Sequence, residues 1–501
     1  MAQLTPTLIL TIIGIYFLML IVVSYFTSKG SSDNANFFIG SKQSPWYVVA
    51  FGMVGATLSG VTFISIPGVV GKTSGGNIDF SYMQVVFGYL IGYILIANIL
   101  LPVYYRLNLT SIYTYLEKRF GISAYKTGAA FFILSRVIGS AFRLYLVAIV
   151  LDTFVLGIEP FNVPFEITVI VTIALIWLYT FRGGIKTIVW TDSIQTFCML
   201  AAVVLTVLAI GNQMELSVGG LISEVRNSDY SQMFFFKGGW SDPNNFFKQF
   251  FSGASLAFVM TGLDQDMMQK NLSCRNIKDA QKNMYSLSII LIFVNLLFLT
   301  LGALLYIYAN NQGIAIPEQT DKLFPTIALN HLSPVVGILF ILGLIAAAYS
   351  SADSALTALT TSFCVDFLNF EKKEDANNPK YRQTRNFVHI GFSVLLILVI
   401  IIFKELNDDS VINELFKIAG YTYGPLLGLY VFGFFTKFKI NDKLAPVVCV
   451  LSPIVCYFLS MFSETLFFGY QFGFELLILN GLLTFFGLWL IRDGKMDGTV
   501  V

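Results

Sequence analysis

Charge, histidine and cysteine are all scarce in this 501-residue chain. Only 12% of its residues are Asp, Glu, Lys or Arg, and the formal net charge is +1. No broad basic surface is therefore available for nucleic acid, and none of its binding motifs is present. His331 and His389 stand alone, which excludes a histidine-based catalytic or metal cluster. Cys198, Cys274, Cys364, Cys449 and Cys456 are odd in number and scattered; they form neither a metal-ligand spacing nor a disulfide framework. Long polar segments are missing too. No stretch between apolar runs exceeds about 40 residues, so a fused kinase or soluble catalytic domain is excluded, and no enzyme is expected.

Apolar residues are what the chain has. They make up 56% of it, and the mean hydropathy is +0.72, outside the range of soluble proteins. They fall into thirteen runs, 7–26, 45–70, 80–104, 127–151, 163–181, 187–211, 247–268, 284–308, 333–364, 387–403, 411–435, 444–462 and 469–491. Each is long enough to cross a hydrocarbon core. The spacing predicts an all-α membrane protein with a single transmembrane domain over residues 1–501. The first run lacks a basic start and a small-residue cleavage site, so a retained helix is expected rather than a signal peptide. Alternate loops sort the Lys and Arg residues 22 to one side and 6 to the other, with Arg136, Arg143 and Lys417 inside or at the edge of helices. The positive-inside rule then places the N-terminus outside and the C-terminus in the cytoplasm of a cell (inner) membrane.

Two acids lie within these runs. Asp353 sits in Ala347-Ala-Ala-Tyr-Ser-Ser-Ala-Asp-Ser354, and Asp192 in Trp190-Thr-Asp-Ser-Ile-Gln195. A carboxylate at bilayer depth costs several kcal/mol and persists beside a partner, an ion or water. Ala347, Ser350, Ser351 and Ser354 share one stripe of a helix, with Asp353 at its border. Adjacent hydroxyls offer the hard oxygens that suit an alkali cation. The second run carries Gly52, Gly55, Gly60, Pro67 and Gly68 among Thr57, Ser59, Thr62 and Ser65. Such breakers free backbone carbonyls, which is tolerated beside protein or a water-lined cavity. Small residues at this spacing also serve plain helix packing; Asp353 does not fit that use.

The residues Gly183-Gly-Ile-Lys-Thr-Ile-Val-Trp-Thr-Asp-Ser-Ile-Gln195 resemble the signature of the sodium:solute symporter family. Asp264-Gln-Asp-Met-Met-Gln269 is similar to that family's Asp-Gln-x-x-x-Gln-Arg motif, with Lys270 in place of the arginine. Gly424-Pro-Leu-Leu-Gly-Leu429 matches its kinked tenth core helix. The resemblance implies a leucine-transporter-like core of two inverted five-helix repeats. These would span 45–211 and 247–435, with 7–26 as an extra N-terminal helix and 444–491 as two C-terminal helices.

The resemblance also implies sites. A first sodium ion would bind the backbone oxygens of Gly55, Leu58 and Ala347 with the hydroxyls of Ser350 and Ser351. Some members hold a second between counterparts of Asp192 and Ser354; Asp353 stands where those members carry serine, and with Asp192 it would either bind that second sodium ion or share a proton. Thr57, Ser59, Thr62, Phe80 and Gln84 resemble the solute-facing positions of the sialic acid transporter branch. Arg136 and Arg143 are candidates for its carboxylate-binding arginine, although neither keeps that register. The expectation is a sodium-coupled symporter of a small organic solute, either an acidic sugar or carboxylate or a neutral sugar or polyol, with no obligatory protein partner.

Overall fold

The computed structural model describes residues 6–27, 42–72, 77–370, 379–406 and 411–495. The side chains of residues 6, 179–184, 186, 379, 406, 411–414 and 495 lie outside the described set. The long helices are α1 (Pro6–Thr27), α2 (Trp46–Val69), α3 (Tyr82–Leu95), α4 (Ile122–Leu151), α5 (Phe165–Gln213), α6 (Phe246–Ala257), α7 (Gln265–Leu272), α8 (Ile277–Gln312), α9 (Pro334–Ser362), α10 (Pro379–Leu406), α11 (Val411–Phe435), α12 (Ala445–Met461) and α13 (Leu476–Leu490). Among the described residues ten helical stretches are long and apolar enough to cross a membrane, and two shorter ones, Phe165–Leu178 and Leu476–Leu490, are apolar throughout. The remaining expected run, 247–268, is divided into α6, a π-turn over Phe258–Gly262, and α7.

The expected link at 181–187 is helical, so α5 is continuous over 49 residues. No proline interrupts that link, so nothing there removes a helical donor. Yet α5 is not one straight rod. Thr172 reaches Tyr349, and Asp192 reaches Ser350, the next residue of α9. On a straight helix Thr172 and Asp192 would stand about 30 Å apart. Likewise Thr187 meets Thr27 near one end of α1, with 2.8 Å between hydroxyls, while Gln195 returns to Tyr16. The helix axis therefore bends between Thr172 and Asp192.

Burial follows position. α2 and α9 are enclosed nearly all round, whereas α1, α10 and α12 keep broad apolar faces exposed, as lipid-facing helices do. α9 packs along α5 and α2, and α6 along α3. At the α3–α6 crossing the backbones nearly touch. A Cβ on Gly88 would stand 2.0 Å from the Phe250 carbonyl oxygen, and one on Gly253 would stand 2.1 Å from that of Val85. Glycine on both sides is what permits this approach.

The proline in α11 shows how a broken backbone is repaired. Pro425 has no N–H for the carbonyl of Tyr421, four residues earlier. Asn480 of α13 supplies the donor, its Nδ2 bonding Tyr421 O at 2.9 Å and Gly420 O at 3.0 Å. Ser452 of α12 in turn donates to Asn480 Oδ1 at 2.8 Å. This pins α12 and α13 to the kink. Asn480→Leu strands the Tyr421 carbonyl in an apolar setting, and the expected loss is about 1–3 kcal/mol of stability, measurable in a reversible SDS-unfolding titration against native protein.

Candidate functional site

Two helices in this fold are broken near their middles, and the site lies between the breaks. In α2, Ser59 has φ 50° and ψ 175°, a costly conformation for a residue with a Cβ and one held by its surroundings. The carbonyls of Gly55, Ala56, Thr57 and Leu58 have their i+4 donors at or beyond this residue, so they form a helix end inside the protein. Close contacts fix the segment. A Cβ on Gly55 would stand 2.1 Å from Thr196 Oγ1, one on Gly52 3.1 Å from Asp192 Cβ, and one on Gly60 3.9 Å from Ala348 Cα. Gly55 and Leu58 therefore bring only backbone oxygen to the region.

α9 packs along α2, with Ala348 Cα near Gly60, and carries Ala347, Ser350, Ser351, Asp353 and Ser354, all essentially buried. Ser351 Oγ donates to Ala347 O at 3.4 Å. Ser354 Oγ donates to Ser350 O at 2.8 Å and lies 3.3 Å from Asp266 Oδ2. Asp353 Oδ1 accepts from the Ser354 N–H at 2.5 Å. Ser350 Oγ faces Asp192 without forming a well-aligned hydrogen bond. An oxygen-lined, buried hydroxyl of this kind is what a small cation binds. Among the described residues no group of three or more His, Cys, Asp or Glu side chains is arranged as a metal centre.

The second break lies between the π-turn at Phe258–Gly262 and α7. Asp264 caps α7, its Oδ1 accepting from the N–H groups of Asp266 and Met267 at 3.0 and 3.3 Å, and its Oδ2 accepts from Tyr423 at 2.7 Å. Gln265 ties the same turn to residues 110–112 through Thr110 O and the Ile112 N–H. Arg136 of α4 bonds Asp266 and lies 3.6 Å from Asp264 Oδ2. Lys270 forms an ion pair with Asp192, its Nζ 2.8 Å from Oδ2 but not aligned as a hydrogen bond, and lies 3.7 Å from Asp266 Oδ1. All five side chains are 5% exposed or less.

A cavity opens beside this cluster; among a mainly apolar lining that includes Leu58, Met260 and Phe416, it presents Thr57, Ser59 and Thr62 from α2, Arg136 and Arg143 from α4, and Thr261 and Asn295. Tyr82, Tyr89 and Tyr93 supply its aromatic wall. The two arginines, one above the other on α4, differ in kind. Arg136 is neutralised by two carboxylates. Arg143, 7% exposed, has its Nε and Nη1 buried without a hydrogen bond.

Four residues singled out in the sequence have the following surroundings. Gln84 is spent within the protein: its Nε2 donates to Asn244 O at 2.9 Å and its Oε1 accepts from Phe235 N–H at 3.0 Å. Phe80 is a core residue whose backbone N–H bonds Gln232 O. Neither lines the cavity. Arg136 lines it but its charge belongs to Asp264 and Asp266. Lys270, placed by charge counting in an inner loop, is 1% exposed inside α7 and holds the carboxylate of Asp192 that sequence reading offers to a second cation. The Asp264, Asp266 and Lys270 charges were visible in the motif, but their partners on α4 and α5 were not.

A profile described as the sodium:solute symporter family matches residues 37–445. This chain belongs to that family. It is 26% identical over 475 residues to the sodium/sialic acid symporter NanT of Aliivibrio fischeri, covering 92% of this chain and 89% of that one. It is 25% identical over 471 residues to the sodium/sialic acid symporter SiaT of Proteus mirabilis, covering 91% and 90%. Its fold matches the substrate-bound, outward-open structure of a Na+-coupled sialic acid symporter with a TM-score of 0.80, at 20% identity, over 97% of this chain and 99% of the other. The protein is thus a multi-pass membrane symporter with a leucine-transporter-like fold, and sodium is its coupling ion.

Breaking the ion cluster at Arg136 should be costly. Arg136→Gln leaves Asp264 and Asp266 short of a counter-charge, and a buried pair broken from one side loses about 3–5 kcal/mol. Arg143→Gln removes no partner and should fold as the native protein does. Fluorescence-detected size-exclusion of the two variants in detergent checks the contrast.

Proposed function

We propose that this symporter imports a small organic acid of the acidic-sugar class, such as sialic acid, together with sodium. The observation that carries the reading is Arg143. Its guanidinium is buried at the cavity with unsatisfied N–H groups, and an unpaired buried charge costs several kcal/mol until an anion arrives. A carboxylate can accept two parallel bonds from that fork. Thr57, Ser59 and Thr62 would then meet hydroxyl groups of the same solute, and the tyrosine wall its ring. The two relatives named for sialic acid transport support this choice. A neutral sugar or polyol would leave Arg143 unpaired.

For the ion, the first site joins the carbonyl oxygens of Gly55, Leu58 and Ala347 to Ser350 Oγ and Ser351 Oγ. It bridges a broken helix and an intact one, so sodium binding and movement of α2 would depend on each other, as coupled transport by alternating access requires. The chain would cross the membrane thirteen times, with α5 supplying two crossings and α6 with α7 one, the N-terminus outside and the C-terminus cytoplasmic. Two inverted repeats would form the core, and both breaks fall in the first helix of the repeats so assigned. No chemistry on the solute is involved.

Two measurements test the reading. In proteoliposomes, Arg143→Gln should weaken uptake affinity for labelled sialic acid at least about 30-fold, equivalent to about 2 kcal/mol, while a neutral analogue such as N-acetylmannosamine changes little. Equal loss for both, or none, would count against the carboxylate role. Ser350→Ala with Ser351→Ala should raise the half-saturating sodium concentration at least about tenfold, a change of about 1.4 kcal/mol. Undiminished uptake in sodium-free buffer would contradict the coupling itself.

A further inference from the structure

The carboxylate most exposed to competition for a cation is Asp192. It lies at the heart of the protein, fully buried, beside the Gly52 face of α2 and in front of Ser350 on α9. Its Oδ2 is ion-paired with the Lys270 ammonium at 2.8 Å. That lysine leaves α7 directly after the second helix break, is itself 1% exposed, and reaches Asp266 Oδ1 at 3.7 Å. Asp353 adds a further negative charge within its electrostatic range.

We infer that Lys270 is a built-in cation that permanently occupies the Asp192 carboxylate, so that this symporter binds one sodium ion rather than two. The inference rests on the sodium site at Ser350 and Ser351 proposed above. An ammonium and a sodium ion carry the same charge and seek the same oxygens. The difference is that one is tethered by four methylenes to a buried helix. A mobile ion competes with it at a disadvantage set by the high effective concentration of any linked group. It must also strand an ammonium ion in a dry interior, which is costly.

The charge balance points the same way. Arg136 answers Asp264 and Asp266, and Lys270 answers Asp192 with a secondary contact to Asp266. Apart from Asp353, whose Oδ1 accepts from the Ser354 N–H, the donors left for a mobile ion are neutral: the hydroxyls of Ser350 and Ser351 and the backbone oxygens around the α2 break. Such a site selects by size and oxygen geometry, with the fixed carboxylate outside its first layer of ligands. Coupled to a singly charged acid, one sodium ion gives a cycle that moves no net charge. Lys270 also joins α7 to α5, so the half-helix after the break stays fixed to the sodium-binding side of the core.

The test is a count of bound sodium that needs no solute. Purified native protein in detergent, titrated with 22Na+ in a scintillation proximity assay, should saturate at one ion per chain with a Hill coefficient of one. Lys270→Gln should admit a second ion at Asp192 and saturate at two. The paired variant Lys270→Gln/Asp192→Asn, which removes one charge of each sign, should return to one ion with an affinity within about threefold of native. Two ions in native protein, or one in a well-folded Lys270→Gln variant, would overturn the inference. If Lys270→Gln does not fold, the paired variant decides: a loss of sodium affinity of tenfold or more there would show that Asp192 binds the ion, and overturn it. Ser350→Ala/Ser351→Ala separates the two proposals. Native-like binding of one ion in that variant would remove the sodium site itself, whereas a native count of two with one lost on that substitution would leave the site standing and remove only the role of Lys270.

Discussion

An unpaired charge in a dry interior is the constraint on which the rest of this structure depends. Asp192, Asp264, Asp266, Arg136 and Lys270 come from three separated parts of the sequence and meet with almost no exposure to solvent. Each is tolerable only in the presence of the others. Their pairing forces α4, α5 and α7 to adopt one arrangement. Packing alone would not do so, because apolar faces in lipid have little hydrophobic reason to prefer one another over lipid. The network therefore acts as a registry device. It fixes the half-helix α7 and leaves α2, whose break at Ser59 is held by small residues and close contacts, as the element free of ion pairs in the described network.

That division explains why two breaks with similar geometry have different consequences. After the second break, Asp264 caps the new helix end and Gln265 stitches it to residues 110–112, so the freed N–H groups are satisfied by protein. The first break leaves the carbonyls of residues 55–58 as well as the N–H groups that follow Ser59, and Gly52, Gly55 and Gly60 bring no side chain to cover those carbonyls. Carbonyl oxygen is a ligand for a cation and N–H is not. The same disruption of a helix thus yields a structural joint in one case and, in the proposed reading, an ion-binding end in the other.

Much of this was legible in the sequence because membrane insertion imposes strong periodic demands. The apolar runs coincide with helices, and the breakers of the second run mark a real interruption at Ser59. The hydroxyl stripe of α9 faces α2 and α5, and Pro425 marks a helix that needs outside help. What could not be read was partnership. Lys270 lies near the end of an apolar run and so counts as a loop charge, although the structure buries it. Gln84 has the right type and spacing for a cavity residue, but its amide is taken by Asn244 and Phe235, distant in sequence. The repair of Pro425 by Asn480 is a contact between residues of two different helices that no local pattern announces. Helical period fixes which face a residue occupies. It is silent on which of several buried faces meets which.

The contrast between Arg136 and Arg143 is the clearest case. They lie seven residues apart on α4, share a helix face, and line the same cavity. In sequence they are equivalent. In the fold, Arg136 is opposite the capping turn of α7 and takes its two carboxylates, whereas Arg143 is two turns further along, beyond their reach as hydrogen-bond partners. One turn of helix advances about 5.4 Å, so two turns move a guanidinium from a saturated site to an open one. The first arginine then sets the field that the second must share, since two cations on one face repel. An incoming carboxylate relieves both the desolvation of Arg143 and that repulsion, and it can do so only where Arg143 faces the cavity. The proposed specificity for an anion would thus follow from a charge that the protein has buried and left unanswered, next to one that it has answered twice.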